Sequence, residues 1–221
     1  MQLRILRGMF ELPMCTPYWG IIAESGVWPI RNKIEYKKIM LFQNIIQSEE
    51  KRLAKEIIED QLRSPYGKCW ANSIREICEK YEMKIEEIRE WSKRTLKKEI
   101  KERINKQIDS IVQEKSREMK KLRFIQGIQK NNYIKELAKG ESTIIMKARL
   151  NMLELKANFR GKYEEEKCDL CLDEEDNTEH LFECPNLKRL LGHKLTVESL
   201  MEPNRELAMF LSRAILIKDG V

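Results

Sequence analysis

The 221-residue chain carries 42 Lys and Arg against 36 Asp and Glu, a net charge of +6, with 42% hydrophobic residues, nine Gly and six Pro. That composition can fill a core and describes a helix-rich, mildly basic protein of one generous domain or two small ones. It excludes a membrane span: the longest uncharged stretch, Leu12 to Ala23, contains two prolines and falls short of the ~18–20 apolar residues a bilayer requires.

The N-terminal MQLRILRGMFELP lacks the apolar core of a signal peptide. The chain is therefore expected inside the cell, in nucleus or cytoplasm, where clustered thiols more often take metal than pair as disulfides.

In chain order, TPYWGIIAESG predicts a short helix with Thr16 at the N-cap, Pro17 in the first turn and Gly26 as the stop. A second helix should follow Pro29, with Ile34, Ile39, Met40, Phe42, Ile45 and Ile46 at helical spacing. SEEKRLAKEIIEDQL predicts a third, capped by Ser48 with acids in its first turn, and Pro65 and Gly67 then mark a turn before a helix bearing Ile74, Ile77 and Cys78. The longest signal runs from about Lys84 to Arg123, where Ile85, Ile88, Trp91, Leu96, Ile100, Ile104, Ile108 and Ile111 recur mostly at three- or four-residue steps, the mark of one apolar stripe on a long amphipathic helix. A shorter helix is expected from Ser142 to about Asn158, and a terminal one after Pro203 carrying Leu207, Phe210, Leu211, Ala214 and Ile215. The expected fold is mainly α: a helical body over residues 1–160, a small zinc knuckle over 161–192, and a C-terminal helix over 193–221 that packs on the body.

The knuckle rests on CDLCLDEEDNTEHLFECP, in which Cys168, Cys171, His180 and Cys184 form C-x2-C-x8-H-x3-C. A C-x2-C turn presents two thiolates to one cation, and a His and a Cys four residues apart share a helix face, so the four close a tetrahedron. Three thiolates and an imidazole with no vacancy suit structural Zn2+, not catalytic zinc. Asn177 or Thr178 should cap the helix that carries His180, with Pro185 at its end. His193 is the other histidine, and Cys15, Cys69 and Cys78 read as ordinary thiols.

Charge divides the chain. Lys162 to Cys184 holds two lysines and ten acids, whereas Lys93 to Arg123 holds twelve Lys and Arg against five acids. A surface that grips phosphates is cationic, so any nucleic-acid contact is expected from Lys93, Arg94, Lys97, Lys98, Lys101, Arg103, Lys120 and Lys121, not from the knuckle.

EHLFECP after the C-x2-C, preceded by MKARLNMLELKANFRGKYEEEKC, resembles the region that follows the polymerase core in reverse transcriptases of non-LTR retrotransposons. LRGMFELPMCTPYWGIIAESGVWPI and REMKKLRFI are similar to the same region. The resemblance implies that the family's Cys-Cys-His-Cys ligands fall on Cys168, Cys171, His180 and Cys184, and that the nucleic-acid traffic of a reverse transcriptase is the setting. The chain contains no adjacent Asp-Asp pair, so the carboxylates that hold polymerase magnesium in that family are missing. It reads as a C-terminal piece, a fragment or truncated copy, with the polymerase core on a longer parent protein.

Two functions follow as expectations. One is a non-catalytic, zinc-binding module that holds RNA or DNA with little sequence preference. The other is a structural or protein-interaction module in which zinc only staples helices.

Overall fold

The described residues fold mainly into helix. The computed structural model describes residues 1–48, 52–64, 69–125, 127–128, 131–159 and 161–220. Among them are twelve α-helices and no strand, the one extended pairing being an isolated bridge between Lys167 and Glu175. The described residues divide into two units, one of Met1–Val27 with Asp109–Val221 and one of Trp28–Ile108.

The first unit opens with α1 (Gln2–Met9) and α2 (Tyr18–Ser25). Thr16 does not cap α2: its hydroxyl and amide both turn back to the Pro13 carbonyl, and Pro17 takes the N-cap position. Gly26 closes α2 at φ +63°, a left-handed stop that only glycine adopts without cost.

The second unit holds α3 (Ile30–Ile46), α4 (Leu53–Arg63), α5 (Trp70–Lys80) and α6 (Ile85–Glu90), followed by the first part of α7 (Lys93–Glu118). The core face of α3 mixes Ile39, Phe42 and Ile46 with Asn32, Glu35 and Gln43, all buried, while Ile34 is exposed. An apolar-only reading of period misses that face because half of it is polar. Asn32, Glu35 and the Gln43 amide nitrogen all find partners, as burial demands, whereas the Gln43 side-chain oxygen finds none among the described residues. Asn32 donates to the Tyr81 hydroxyl at 2.9 Å, and Glu35 accepts from Tyr81 at 2.5 Å and Lys80 at 2.6 Å. Ser48 donates to the Ile45 carbonyl at the end of α3 and does not cap α4; the expected acidic first turn at Glu49 and Glu50, and the Pro65 and Gly67 turn, lie outside the described residues.

The single long helix expected from Lys84 to Arg123 is two helices. Chain geometry breaks at Trp91, which is extended, and Ser92 starts α7 by accepting the Thr95 amide at 3.1 Å. Gln43 donates to the Ile88 and Trp91 carbonyls, and Gln47 to those of Arg89 and Trp91. The carbonyls orphaned at the end of α6 thus find partners on α3, and the break costs little. Along α7 the buried residues are Leu96, Ile100, Ile104, Ile108 and Val112. Each four-residue step advances about 40° around a helix of 3.6 residues per turn, so the stripe winds about α7 instead of holding one face. Residues to Ile108 belong to the second unit and those from Asp109 to the first.

The first unit continues with a 3-10 turn at Lys120–Leu122, then α8 (Tyr133–Glu136), α9 (Lys139–Arg149), a 3-10 turn at Lys156–Phe159, α10 (His180–Glu183), α11 (Pro185–Leu191) and α12 (Arg205–Lys218). Helix α9 stops nine residues before the expected Asn158. Asn151 is left-handed at φ +52°, its amide meets the Ala148 carbonyl, and the Met152 amide reaches the Lys147 carbonyl at 2.7 Å. This is a Schellman stop, in which an apolar residue just past the left-handed position packs back on the helix. The same pairing recurs at Glu11 with Leu12 and at Glu82 with Met83. Leu12, Met83 and Met152 are all buried, and their burial offsets the cost of a side chain at positive φ.

Packing of α9 against α12 centres the first unit, with Ile145, Leu207, Phe210 and Leu211 in its core. Asn204 caps α12 by accepting the Leu207 amide at 2.9 Å. Inside this unit lies an ion pair: Arg149 and Glu24 meet at 2.8 Å with side chains 3% and 1% exposed. Arg149 also donates to the carbonyls of Phe124 and Leu200, and Glu24 accepts from Tyr133 and Asn131. One guanidinium therefore ties α2, α9 and two loops together.

Removing one member of a buried pair strands the other. Arg149→Met should destabilise the first unit by about 3–5 kcal/mol, read as a lower urea midpoint by circular dichroism; an unchanged midpoint would refute the tie.

In the second unit burial pushes the Glu35 carboxyl up, but hydrogen bonds from Lys80 and Tyr81 and the charges of Lys80 and Arg31 outweigh it and hold the group below its ordinary 4.5. A depressed carboxylate contributes stability present above its unfolded pKa and lost as pH falls through the folded value. Acidification below about pH 4.5 should thus lower the urea midpoint followed by tryptophan fluorescence, and Glu35→Gln should flatten that dependence.

Candidate metal centre

Residues 166–184 have little apolar material of their own, and backbone bonds shape them. The Asp176 amide donates to the Glu166 carbonyl at 2.7 Å and the Cys168 amide to the Glu174 carbonyl at 2.8 Å, folding the segment on itself around the Lys167–Glu175 bridge. Leu172 sits at φ +62°, with its amide on the Cys168 carbonyl, so the chain turns tightly past the second thiol.

Asn177 Oδ1 accepts the His180 amide at 2.9 Å and starts α10, as its short polar side chain and position allow. Thr178 is buried and instead accepts Asn158 at 3.2 Å. Pro185 follows directly on the end of the helix that carries His180, as expected. It opens α11, with Cys184 at the junction, still bonded by its amide to the His180 carbonyl at 2.7 Å. The i, i+4 relation of His180 and Cys184 survives the kink.

One ligand atom from each of Cys168, Cys171, His180 and Cys184 lies within 4.8 Å of all the others. Cys171 Sγ is 3.3 Å from His180 Nε2. A tetrahedral ion with metal–sulfur bonds of about 2.3 Å needs ligand separations of about 3.8 Å, so small side-chain adjustments close the shell. These four side chains can hold a metal ion.

Their surroundings suit thiolates and an oriented imidazole. His180 Nδ1 meets Glu174 Oε2 at 3.1 Å, which leaves Nε2 toward the sulfurs, the usual outer support of a metal-bound histidine. Burial pushes the Cys168 thiol up, yet the Cys171 and Leu170 amides and the Lys218 ammonium bring it below its ordinary value. For Cys171 the Asp173 and Glu174 amides outweigh desolvation in the same sense, while burial and the two neighbouring sulfurs push Cys184 up. Lys218, at the end of α12, donates to Cys168 Sγ at 3.2 Å and to Asp176, and both charged side chains are under a tenth exposed. Burial alone would lower the Lys218 pKa, but Asp176 and Cys168 raise it. The sequence offered no signal for Lys218, which is 34 residues past Cys184.

Cys168 and Cys184 are also part of the apolar core of the first unit, beside Leu181, Phe182 and Leu187. His193 is outside the cluster and stacks on Phe210 at 4.2 Å. Cys78 is buried, its thiol pushed up to about 12 by desolvation and by Glu79, Glu86 and Glu87, whereas Cys15 is exposed.

The expected nucleic-acid contacts separate. Lys93, Arg94, Lys97, Lys98 and Lys101 are exposed along α7 in the second unit. Arg103 is half-buried and committed to the Tyr81 and Glu82 carbonyls. Lys120 and Lys121 belong to the first unit, on a cleft beside the 3-10 turn at Lys156–Phe159. No helix among the described residues is long and apolar enough to cross a membrane.

No family model, no curated protein and no solved structure matches this chain.

Lys218→Met leaves all four ligands but removes the cation that faces Cys168. Loss of such an outer partner typically costs ten- to a hundredfold in affinity. Competition with a chromogenic chelator should show weaker metal binding of that order with helix content retained; wild-type affinity would mean that Lys218 only packs.

Proposed function

We propose that the chain is a non-catalytic helical module stapled by one structural Zn2+ on Cys168, Cys171, His180 and Cys184, which holds nucleic acid on cationic side chains other than those of the metal segment. The observation that carries the reading is the convergence of three thiols and an imidazole at the margin of an apolar core that takes in Cys168 and Cys184, with a carboxylate on the imidazole and an ammonium on a thiol. Zinc suits this donor set because soft thiolates favour it and four protein ligands leave no position for substrate or water. When bound, the ion would cross-link the 168–175 turn to α10 and α11 and supply folding free energy to a segment poor in apolar side chains.

Nucleic acid as partner is supported by the exposed lysines and arginine of α7 and by the acidity of the segment around the metal. Phosphates favour the former and are repelled by the latter. C-x2-C-x8-H-x3-C-P and its flanking segments support a relation to the region behind the polymerase core of non-LTR reverse transcriptases. In that setting the module would support a polymerase carried elsewhere on a longer protein.

A second reading, a protein-interaction module, is favoured by one observation. Ile34 and Leu41 are exposed on α3 beside Lys33, Lys37 and Lys38, a face that suits an apolar ridge flanked by acids.

Metal analysis of the purified chain should find one zinc, lost in Cys171→Ser. Binding to a fluorescent structured RNA should weaken steeply with salt and persist in that mutant. Affinity indifferent to salt would sink the nucleic-acid reading, and wild-type RNA binding lost with the zinc while the helices stay folded would move the grip to the metal segment.

A further inference from the structure

We propose that the cleft between the 3-10 turns Lys120–Leu122 and Lys156–Phe159 is a binding site for single-stranded nucleic acid, with phosphates on Lys120, Lys121, Arg123 and Lys162 and a base against Phe159. The inference rests on the nucleic-acid reading above and places the principal grip in the first unit instead of on the outer face of α7.

The cleft has a volume of about 650 Å3, within the ~300–1,000 Å3 range of pockets that enclose small ligands. Four cations line it against two acids, Glu175 and Glu179. That balance is the reverse of the adjoining sequence, where Lys162 to Cys184 carries ten acids and two lysines. The fold draws cations from two distant stretches, 120–123 and 162, to one side of an acidic segment.

The cations differ in how far they are committed. Arg123 is paired with Glu179, and Lys121 Nζ donates to the Asn158 carbonyl at 3.3 Å. Lys120 and Lys162 are exposed and make no ion pair among the described residues. The Lys162 ammonium stands 5.8 Å from the centre of the Phe159 ring and 5.2 Å from that of Tyr163. Ammonium groups with no carboxylate partner, beside a half-exposed ring, combine a backbone-tracking charge with a stacking surface. Stacking requires a base with a free face, which a duplex does not present, so the occupant is a single strand. Buried Asn158, bonded to the Leu153 carbonyl and to Thr178, keeps the Phe159 turn fixed against the metal segment.

The test uses the full zinc-loaded chain and a fluorescently labelled single-stranded RNA of mixed sequence. Lys120→Ser with Lys162→Ser changes two exposed side chains, so zinc content and circular dichroism should be unchanged. Affinity should fall about tenfold, and the salt slope should drop by about 1.4, as expected for two lost phosphate contacts on a single strand. Phe159→Leu should cost about tenfold through lost stacking, while Lys97→Ser with Lys98→Ser on α7 should cost less than threefold. Cys15, exposed at the cleft, supplies a readout independent of these variants: saturating RNA should protect it from iodoacetamide and leave Cys69 as reactive as before. Unchanged affinity in the cleft variants, with loss in the α7 variant, would overturn the site while the nucleic-acid reading stands. No RNA binding by the wild type at low salt would overturn both. Equal binding of a duplex, or full displacement of the RNA by millimolar inorganic phosphate, would also overturn the single-strand assignment.

Discussion

Three sulfurs and an imidazole sit within a few ångströms of one another in the interior of the first unit, and much around them follows from that placement. Thiols so close cannot all ionise unless positive charge is brought to them, because each thiolate raises the pKa of its neighbours. Backbone amides of residues 170, 171, 173, 174, 186 and 187 face the sulfurs, and the Lys218 ammonium completes the arrangement from the far end of α12. A metal ion on these ligands would supply the largest share of that charge. The position of α12 is therefore linked to the ligand cluster by an ion pair as well as by apolar packing.

The same economy of charge recurs away from the cluster. Glu24 and Arg149 in the first unit, and Glu35 with Lys80 in the second, are carboxylates whose burial is offset by several donors at once. Such networks add little net stability over apolar packing, yet losing a member is costly. They act as locks on geometry. Arg149 fixes the Phe124 and Leu200 carbonyls, and the segment just before Phe124 forms one wall of the cationic cleft. Charge at the surface is sorted as well, with acids gathered around the metal ligands and lysines on α7 and on the 3-10 turns of the cleft.

Helix content and the candidate Cys/His cluster were legible because their signals are local. A glycine after an apolar run, as at Gly26, or an asparagine before one, as at Asn204, marks an end by its own chemistry. The stops at Glu11, Glu82 and Asn151 were hidden because no glycine stands there. Their signal is the apolar residue that follows, Leu12, Met83 or Met152, and it counts only once that residue has a core to enter. The break between α6 and α7 was half legible: Ser92 is a cap in waiting, but the carbonyls released at the end of α6 are satisfied by Gln43 and Gln47 from α3, about 45 residues earlier. The polar core face of α3 was missed for a related reason, since Asn32, Glu35 and Gln43 look like surface residues until their partners are known.

What the sequence determined by itself was therefore whatever depends on spacing along the chain: mainly helical structure, and a C-x2-C turn and a His-x3-Cys step that bring each pair of ligands to one side. Tertiary structure decided what depends on residues distant in sequence. It brought the two ligand pairs together, set Lys218 against Cys168, buried Arg149 on Glu24, and collected Lys120, Lys121, Arg123 and Lys162 around Phe159. Short-range geometry is written in caps and periods that repeat within a turn or two of helix. Contacts across tens of residues form only when the apolar faces close, and charge placed by that closure has no local pattern to betray it.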